Sequence, residues 1–404
     1  MKKIIALIVI TVSLSPLFLK ADYWTQKADF GGTPRADATG FSVGSKGYIG
    51  TGFINPTYST DVWEYDPVTN TWMQKANYGG SPIVEACSFS IDNFGYVLSA
   101  PSGIDFWQFD PLLNVWTQMA NFAGSARQAA VAFAINGKGY ITTGLFASSL
   151  DDLWEYDPLN NTWLQKANLP GDARHYATGF AIGNKGYVGT GQSATSVGLT
   201  DLWEWDQPTN TWSQKANFPG TARREATGFA IGNFGYIGMG SGIGGYFYDF
   251  WQYDPVNNSW LQMANFGGGN REEASQFSIG SLGYTGTGWD GVTSGVMKKD
   301  FWEYHPEDST TGGLEFPVSG LEFTVYPNPA SEFIVCSLQF PVNKKINLSV
   351  TDVSGRKLFT KQLQTVNNKL ETKINISRLS KGVYFVSLLT DDGNEKTVKK
   401  LMKQ

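Results

Sequence analysis

One phrase recurs six times in this chain and limits what it can fold into. "DVWEYDP" begins at Asp61, and close variants follow: "DFWQFDP" from Asp105, "DDLWEYDP" from Asp151, "DLWEWDQP" from Asp201, "DFWQYDP" from Asp249 and "DFWEYHP" from Asp300. The first five lead into a second tryptophan (Trp72, Trp116, Trp163, Trp212, Trp260), and these lie 44 to 49 residues apart. Between them run four short pieces, which in the unit at Arg174 read "YATGFAIG", "KGYVGTG", "DLWEWD" and "TWSQKA". Each is aromatic or β-branched and is bounded by Gly, Pro, Asn or Asp, so each reads as a strand. A four-stranded antiparallel unit repeated at this period is the pattern of a propeller blade.

The register of the repeat also explains its ends. "YWTQKADF" (Tyr23–Phe30) is a fourth strand with no first three before it, and "DFWEYHP" is a third strand with no fourth after it. In a ring the N-terminal strand completes the last blade, so five internal blades and one shared blade make six. Closure also removes the open sheet edges that would otherwise pair with other chains.

These repeats resemble the kelch family: an Arg before strand one ("ARHYATGF"), Gly-Tyr entering strand two, and aromatic-Tyr-Asp-Pro-x-x-Asn-x-Trp across strands three and four. They depart from it after strand two, where the usual glycine doublet reads "GTG". The expected fold is therefore all-β: a six-bladed kelch β-propeller over residues 22–308. Twelve of the fourteen tryptophans, and Asp61, Asp105, Asp152, Asp201, Asp249 and Asp300, occupy repeat positions. They read as scaffold, because a single site has no use for six copies.

Residues 321–404 have a different texture, with apolar and polar residues alternating over about seven strands, as in a small immunoglobulin-like β-sandwich. "YPNP", "TDVSGRKL", "KGVYFV" and the basic end of this stretch resemble the C-terminal sorting domain of the type IX secretion system. That resemblance implies export, the type IX machinery as a partner, and removal of the domain afterwards, with residues 309–320 as linker. The start of the chain, two lysines and an apolar run to Ala21, reads as a secretory signal peptide over residues 1–21. No other apolar run approaches the ~18 residues of a membrane helix. The expected location is secreted or attached to the outer cell surface.

Charge divides at the same boundary. Residues 321–404 hold 13 basic and 7 acidic side chains, and the rest of the chain holds 18 basic and 29 acidic. An acidic body repels phosphates, so nucleic acid is not an expected partner. Cys87 and Cys336 fall in different domains and read as buried free thiols.

Catalytic chemistry, metals and cofactors find little support. "GSGIGG" at Gly240–Gly245 has dinucleotide-loop spacing, but a strand follows where a helix is needed. Galactose oxidase shares the kelch architecture, but its copper site uses two His and two Tyr with a Cys–Tyr crosslink; here His175 and His305 are the two histidines, and Cys87 sits inside a first strand. The candidates come instead from positions that vary between repeats on one face, where the loops joining strands four to one and two to three crowd the channel mouth. There the kelch Arg recurs as Arg35, Arg127, Arg174, Arg223 and Arg271, with Ile83 in one blade. Two residues on stand Asp37, Glu85, Ala129, Tyr176, Glu225 and Glu273; between them lie Ala36, Val84, Gln128, His175, Arg224 and Glu272. In kelch adaptors the corresponding Arg and the residue two along grip peptides. The resemblance thus implies ligand contacts at Arg35, Asp37, Glu85, Arg174, Tyr176, Arg223, Glu225, Arg271 and Glu273. His175, at a variable position of the same mouth, and Trp289, a tryptophan outside the strand pattern, join them. The competing account pairs Arg35 with Asp37, Arg223 with Glu225 and Arg271 with Glu273 internally, as residues two apart on an extended chain share a face.

The sequence thus reads as a binding module for a glycan or a protein segment. The rival readings are a sugar enzyme of the sialic-acid mutarotase kind, which needs only an acid and a base near the ring, and a structural surface component.

Overall fold

The computed structural model describes residues 22–100, 103–291, 296–306, 322–326, 330–339, 345–352, 356–364, 369–390 and 396–403. The expected leader (1–21) and linker (309–320) lie outside the described residues. The chain forms two compact units, Met1–Asp308 and Ser309–Gln404. The first is a six-bladed β-propeller, and the second is an immunoglobulin-like sandwich.

Each blade is a four-stranded antiparallel sheet. Blade four runs Thr178–Ile182, Lys185–Gly189, Leu202–Asp206, Thr211–Lys215 from the axis outward. In blade six, Ser275–Ile279, Leu282–Gly286 and Phe301–His305 are completed by the N-terminal strand Tyr23–Gln26, with Tyr23 opposite His305 and Gln26 opposite Trp302. The ends of the propeller therefore clasp in one sheet.

Blades are held together by one contact made six times. The phenylalanine of a first strand lies against the glycine at the second position of the second strand of the neighbouring blade: Phe41 on Gly95, Phe89 on Gly139, Phe133 on Gly186, Phe180 on Gly235, Phe229 on Gly283 and Phe277 on Gly47. A Cβ on any of these glycines would sit 2.1–2.3 Å from the ring, which explains the repeated Gly-Tyr. Further out, the tryptophan of each fourth strand donates its indole N–H to an alanine carbonyl of the preceding blade. Trp72 reaches Ala28, Trp212 reaches Ala167, and Trp24 closes the ring on Ala264.

Within a blade the recurring arginine holds the loops above the sheet. Arg35, Arg127, Arg174, Arg223 and Arg271 are at most 1% exposed, and each pairs with the aspartate that opens strand three: Asp61, Asp152, Asp201, Asp249 and Asp300, at 2.6–2.9 Å. The forked, two-bond geometry suits a planar guanidinium. The same arginines donate to the carbonyls of Thr51, Thr143, Thr190, Met239 and Thr287. Those five residues have φ of +57° to +63°, a left-handed conformation that is strained for threonine. A glycine doublet is thus replaced at its first position by a residue whose carbonyl the arginine holds in place. The aspartate also accepts the indole N–H of the tryptophan two residues on, as from Trp154 to Asp152.

This arrangement corrects two sequence-based expectations. Arg35, Arg174, Arg223 and Arg271 are not ligand contacts at the mouth, since their donors face carboxylates and carbonyls inside the blade. Nor do they pair with Asp37, Glu225 or Glu273. Those residues have φ of +52° to +56°, so the chain turns between the two positions and their side chains do not share a face.

Blade two lacks the arginine. Ile83 is buried in its place, and the indole N–H of Trp107 is buried without a hydrogen-bond partner.

In the C-terminal unit, a three-stranded sheet (Glu322–Tyr326, Phe333–Gln339, Lys369–Asn375) and a four-stranded sheet (Lys345–Asp352, Lys357–Gln364, Gly382–Thr390, Lys396–Lys403) share one core. Ile334 and Ile374 of the first meet Leu348, Val386, Leu388 and Leu401 of the second.

Removing the partner of a buried charge is far more costly than removing a neutral contact. Asp152→Ala should therefore destabilise the propeller by about 3–5 kcal/mol, leaving Arg127 uncompensated. Asp105→Ala in blade two, which has no arginine to strand, should cost under about 1.5 kcal/mol. Denaturant unfolding decides it: equal losses at the two sites would show that the guanidinium pair is not what holds the blade.

Candidate functional site

The residue two past each arginine marks the inner rim of the channel. Asp37, Glu85, Ala129, Tyr176, Glu225 and Glu273 all adopt the left-handed conformation. Their backbones hydrogen-bond from blade to blade: Glu85 to Asp37, Ala129 to Glu85, Tyr176 to Ala129, Glu225 to Tyr176 and Asp37 to Glu273, at 2.9–3.2 Å. With the main chain so occupied, all six side chains line an axial cavity of about 160 Å³. Below them the cavity wall is made of small residues that lead into the first strands, among them Ala38, Ala86, Ala130 and Ala177. Cys87 also lines it as a buried free thiol, pushed up to about 12 by burial.

Four of the six rim side chains are carboxylic acids. The Tyr176 hydroxyl donates to Glu85 at 2.8 Å, while the second oxygen of Glu85 is buried with no partner. Glu225 has a side chain 6% exposed, with the Arg224 guanidinium 3.7 Å away. Burial raises the pKa of every one of these acids, because the charged form loses its hydration. Glu225 is pushed up to about 9 by burial and then by the adjoining Glu272 and Glu273, against the pull of Arg224. Glu273 is pushed up to about 7 by burial and by the charges of Glu272 and Glu85. Asp37 is raised by burial, then by Glu273, Glu85, Glu225 and Glu272. Burial also raises Glu85, against the hydrogen bond from Tyr176.

An outer rim stands above this ring. The residue following each arginine forms a short ladder with the loop between strands two and three: Ala36 with Phe53, Gln128 with Leu145, His175 with Gln192, Arg224 with Ser241, Glu272 with Trp289. His175 is 8% exposed, with its Nδ1 3.0 Å from the Ser149 hydroxyl. Burial and then the Arg224 charge lower its pKa. Trp289 is half-buried and is tied to Glu272 by two backbone bonds of 2.9 Å. The structure therefore brings Asp37, Glu85, Tyr176, Glu225 and Glu273 together on the cavity. It places His175 and Trp289 on the rim above and withdraws the arginines into the blades.

Sequence reasoning did not single out two residues of this site. Arg224 lies over the Tyr176 ring at 5.7 Å and donates to Gln192 at 2.7 Å. Glu272 is 8% exposed, and its carboxylate oxygens lie within 4.8 Å of those of Glu225 and Glu273. That triad is the set of donors a hard cation would use. The available signal was a charge at the between position in only these two blades.

Residues 324–404 match the family described as secretion system C-terminal sorting domain. The C-terminal unit is a type IX sorting domain. The chain is accordingly secreted or attached to the cell surface. Among the described residues no helix is long and apolar enough to cross a membrane. No curated protein matches the chain. Among solved structures, one titled "Structure of YjhT" matches with a TM-score of 0.61 at 16% identity, covering 70% of this chain and 98% of that one. At that identity the likeness establishes the fold and nothing finer.

The raised carboxyls predict a pH dependence of stability. Their folded pKa values exceed the unfolded ones, so the folded protein binds more protons in the interval between. The associated stability is complete below the unfolded value near 4.5 and is lost as pH rises through about 7 and about 9. Thermal melts should fall by several degrees between pH 5 and pH 9.5, and Glu225→Gln should flatten the upper part of that decline. A melting temperature level across the interval would contradict the clustering.

Proposed function

We propose that the exported propeller is a binding module that takes a glycan or a protein segment at the channel mouth. The observation that carries this is the rim that sets four carboxylic acids over an axial cavity, built on left-handed non-glycine backbone. The scaffold requires the backbone bonds of that ring but does not require carboxyls there, and buried acids at raised pKa cluster where sites are. Asp37, Glu85, Tyr176, Glu225 and Glu273 would contact the ligand from the inner ring, and His175, Arg224, Glu272 and Trp289 from the rim. Carboxyls and amides beside an aromatic ring suit hydroxyl-rich or extended peptide ligands, which combine hydrogen bonds with stacking.

Glycan and peptide arrays probed with the exported protein test this, with hits measured again on variants at pH 6. Trp289→Ala and Glu225→Gln should weaken binding by roughly 1–3 kcal/mol and leave melting nearly unchanged. A ligand indifferent to both would move the site off this mouth.

A second reading rests on the cluster of Glu225, Glu272 and Glu273, whose carboxylate oxygens lie within 4.8 Å of one another. Burial and mutual repulsion raise Glu225 and Glu273, so one carboxyl can hold a proton while a neighbour accepts one, the acid and base that anomer exchange of a sugar requires. Exchange between anomers of any glycan hit, followed by NMR, would separate an enzyme of the mutarotase kind from a binder: a rate unchanged by Glu273→Gln rules the enzyme out.

The sorting domain is proposed to be removed on export within residues 309–320, leaving the propeller as the mature protein. Mass spectrometry of the exported form should find a C-terminus in that stretch, and a terminus at Gln404 would refute removal.

A further inference from the structure

At each seam between blades, the alanine whose carbonyl meets the neighbouring tryptophan also offers its N–H. At five seams that N–H donates to the side chain of a turn asparagine in the next blade. Ala28 donates to Asn70, Ala76 to Asn114, Ala120 to Asn161, Ala167 to Asn210 and Ala216 to Asn258, at 2.8–3.0 Å. Four of these asparagine oxygens accept a second bond from the ring group five residues earlier: Tyr65, Tyr156, Trp205 and Tyr253. Each asparagine is left-handed, with φ of +49° to +55°, and immediately precedes its blade's fourth strand.

The sixth seam has no such turn. The third and fourth strands of blade six come from opposite ends of the propeller sequence, so no asparagine loop joins them. The two bonds are nevertheless made. Ala264 donates its N–H to Oδ2 of Asp22 at 2.6 Å, and the Tyr304 hydroxyl donates to the same oxygen at 3.0 Å. Asp22 immediately precedes the fourth strand Tyr23–Gln26, the register that the asparagines hold elsewhere. A carboxylate accepts without donating, and its bonds to N–H and O–H are charge-assisted.

We infer that Asp22 is the latch of the ring, an acidic stand-in for the turn asparagine that joins blade five to blade six across the chain ends. The residue following the expected leader thereby becomes part of the fold. Processing that stops before Asp22 leaves the seam whole, and trimming by one residue more removes both bonds. The latch also orders assembly, because Asp22 is made early and its donor Tyr304 belongs to the last propeller strand to emerge.

Hydrogen exchange at Ala264, read by mass spectrometry on the full chain with its leader processed, tests the latch. Asp22→Ala should speed exchange there at least tenfold and lower the melting temperature, while the equivalent amide at Ala216 stays protected. Asp22→Asn should return Ala264 to within about threefold of the wild-type rate, because an amide oxygen accepts the same two bonds. A chain beginning at Tyr23 should behave like Asp22→Ala. Failure of Asp22→Ala to fold, with Asp22→Asn folding, would support the latch equally. Wild-type protection of Ala264 in Asp22→Ala would overturn it, and so would equal loss in the alanine and asparagine variants.

Discussion

The buried arginine–aspartate pair is the interaction on which the mouth depends. A guanidinium removed from water needs most of its donors met. In this fold the carboxylate is supplied by strand three and a carbonyl by the end of strand two, and an aromatic ring lies against it, as Phe30 does on Arg35 at 4.7 Å. Meeting those demands fixes three loops at once. It bends the end of strand two into a left-handed turn and anchors the tryptophan of strand three. It also leaves the chain beyond the arginine to turn toward the axis. Blade two shows the alternative, in which Ile83 fills the space and Tyr78 bonds Ser99 instead. The ring tolerates one such neutral substitute.

Burial of these arginines has an electrostatic result. Five cations of the propeller are neutralised inside the blades, so they do not offset the acids that face the channel. Arg224 is the guanidinium that reaches the Tyr176 and Glu225 side of the mouth. A ring that alternates Arg and carboxylate along the sequence thus becomes, in space, a rim with four carboxylic acids and neutral Arg–Asp pairs behind it.

The repeat made the architecture readable. Phrases at a fixed period set the blade, the orphan strand at Tyr23–Gln26 set the closure, and the unlike texture after residue 320 set the second unit. The site was readable in part. Variation at Asp37, Glu85, Tyr176, Glu225 and Glu273 marked residues that the fold does not dictate, and these do meet at the cavity. The arginines misled because their partner lies 25 to 29 residues away, across a strand and a loop, while a nearer carboxylate sat two positions on. Extended spacing predicted a shared face; the positive φ at that second position is what prevents it, and no residue type there announces it. Glu272 and Arg224 were passed over because their importance lies in a ladder to the next loop, which sequence distance conceals.

The backbone belt at the inner rim separates the task of cohesion from that of recognition. Neighbouring blades are joined there by amide and carbonyl groups, which are common to all residue types, so the six inward side chains form an alphabet that can be rewritten without loosening the ring. The alphabet has a grammar. A left-handed backbone is tolerated by Asp, Asn, Gly and unbranched or aromatic residues, and it disfavours Val, Ile and Thr. Rims of this type are therefore biased toward polar and acidic lettering before any ligand is chosen. A propeller that enters an extracellular setting already leans toward hydrogen-bonding partners.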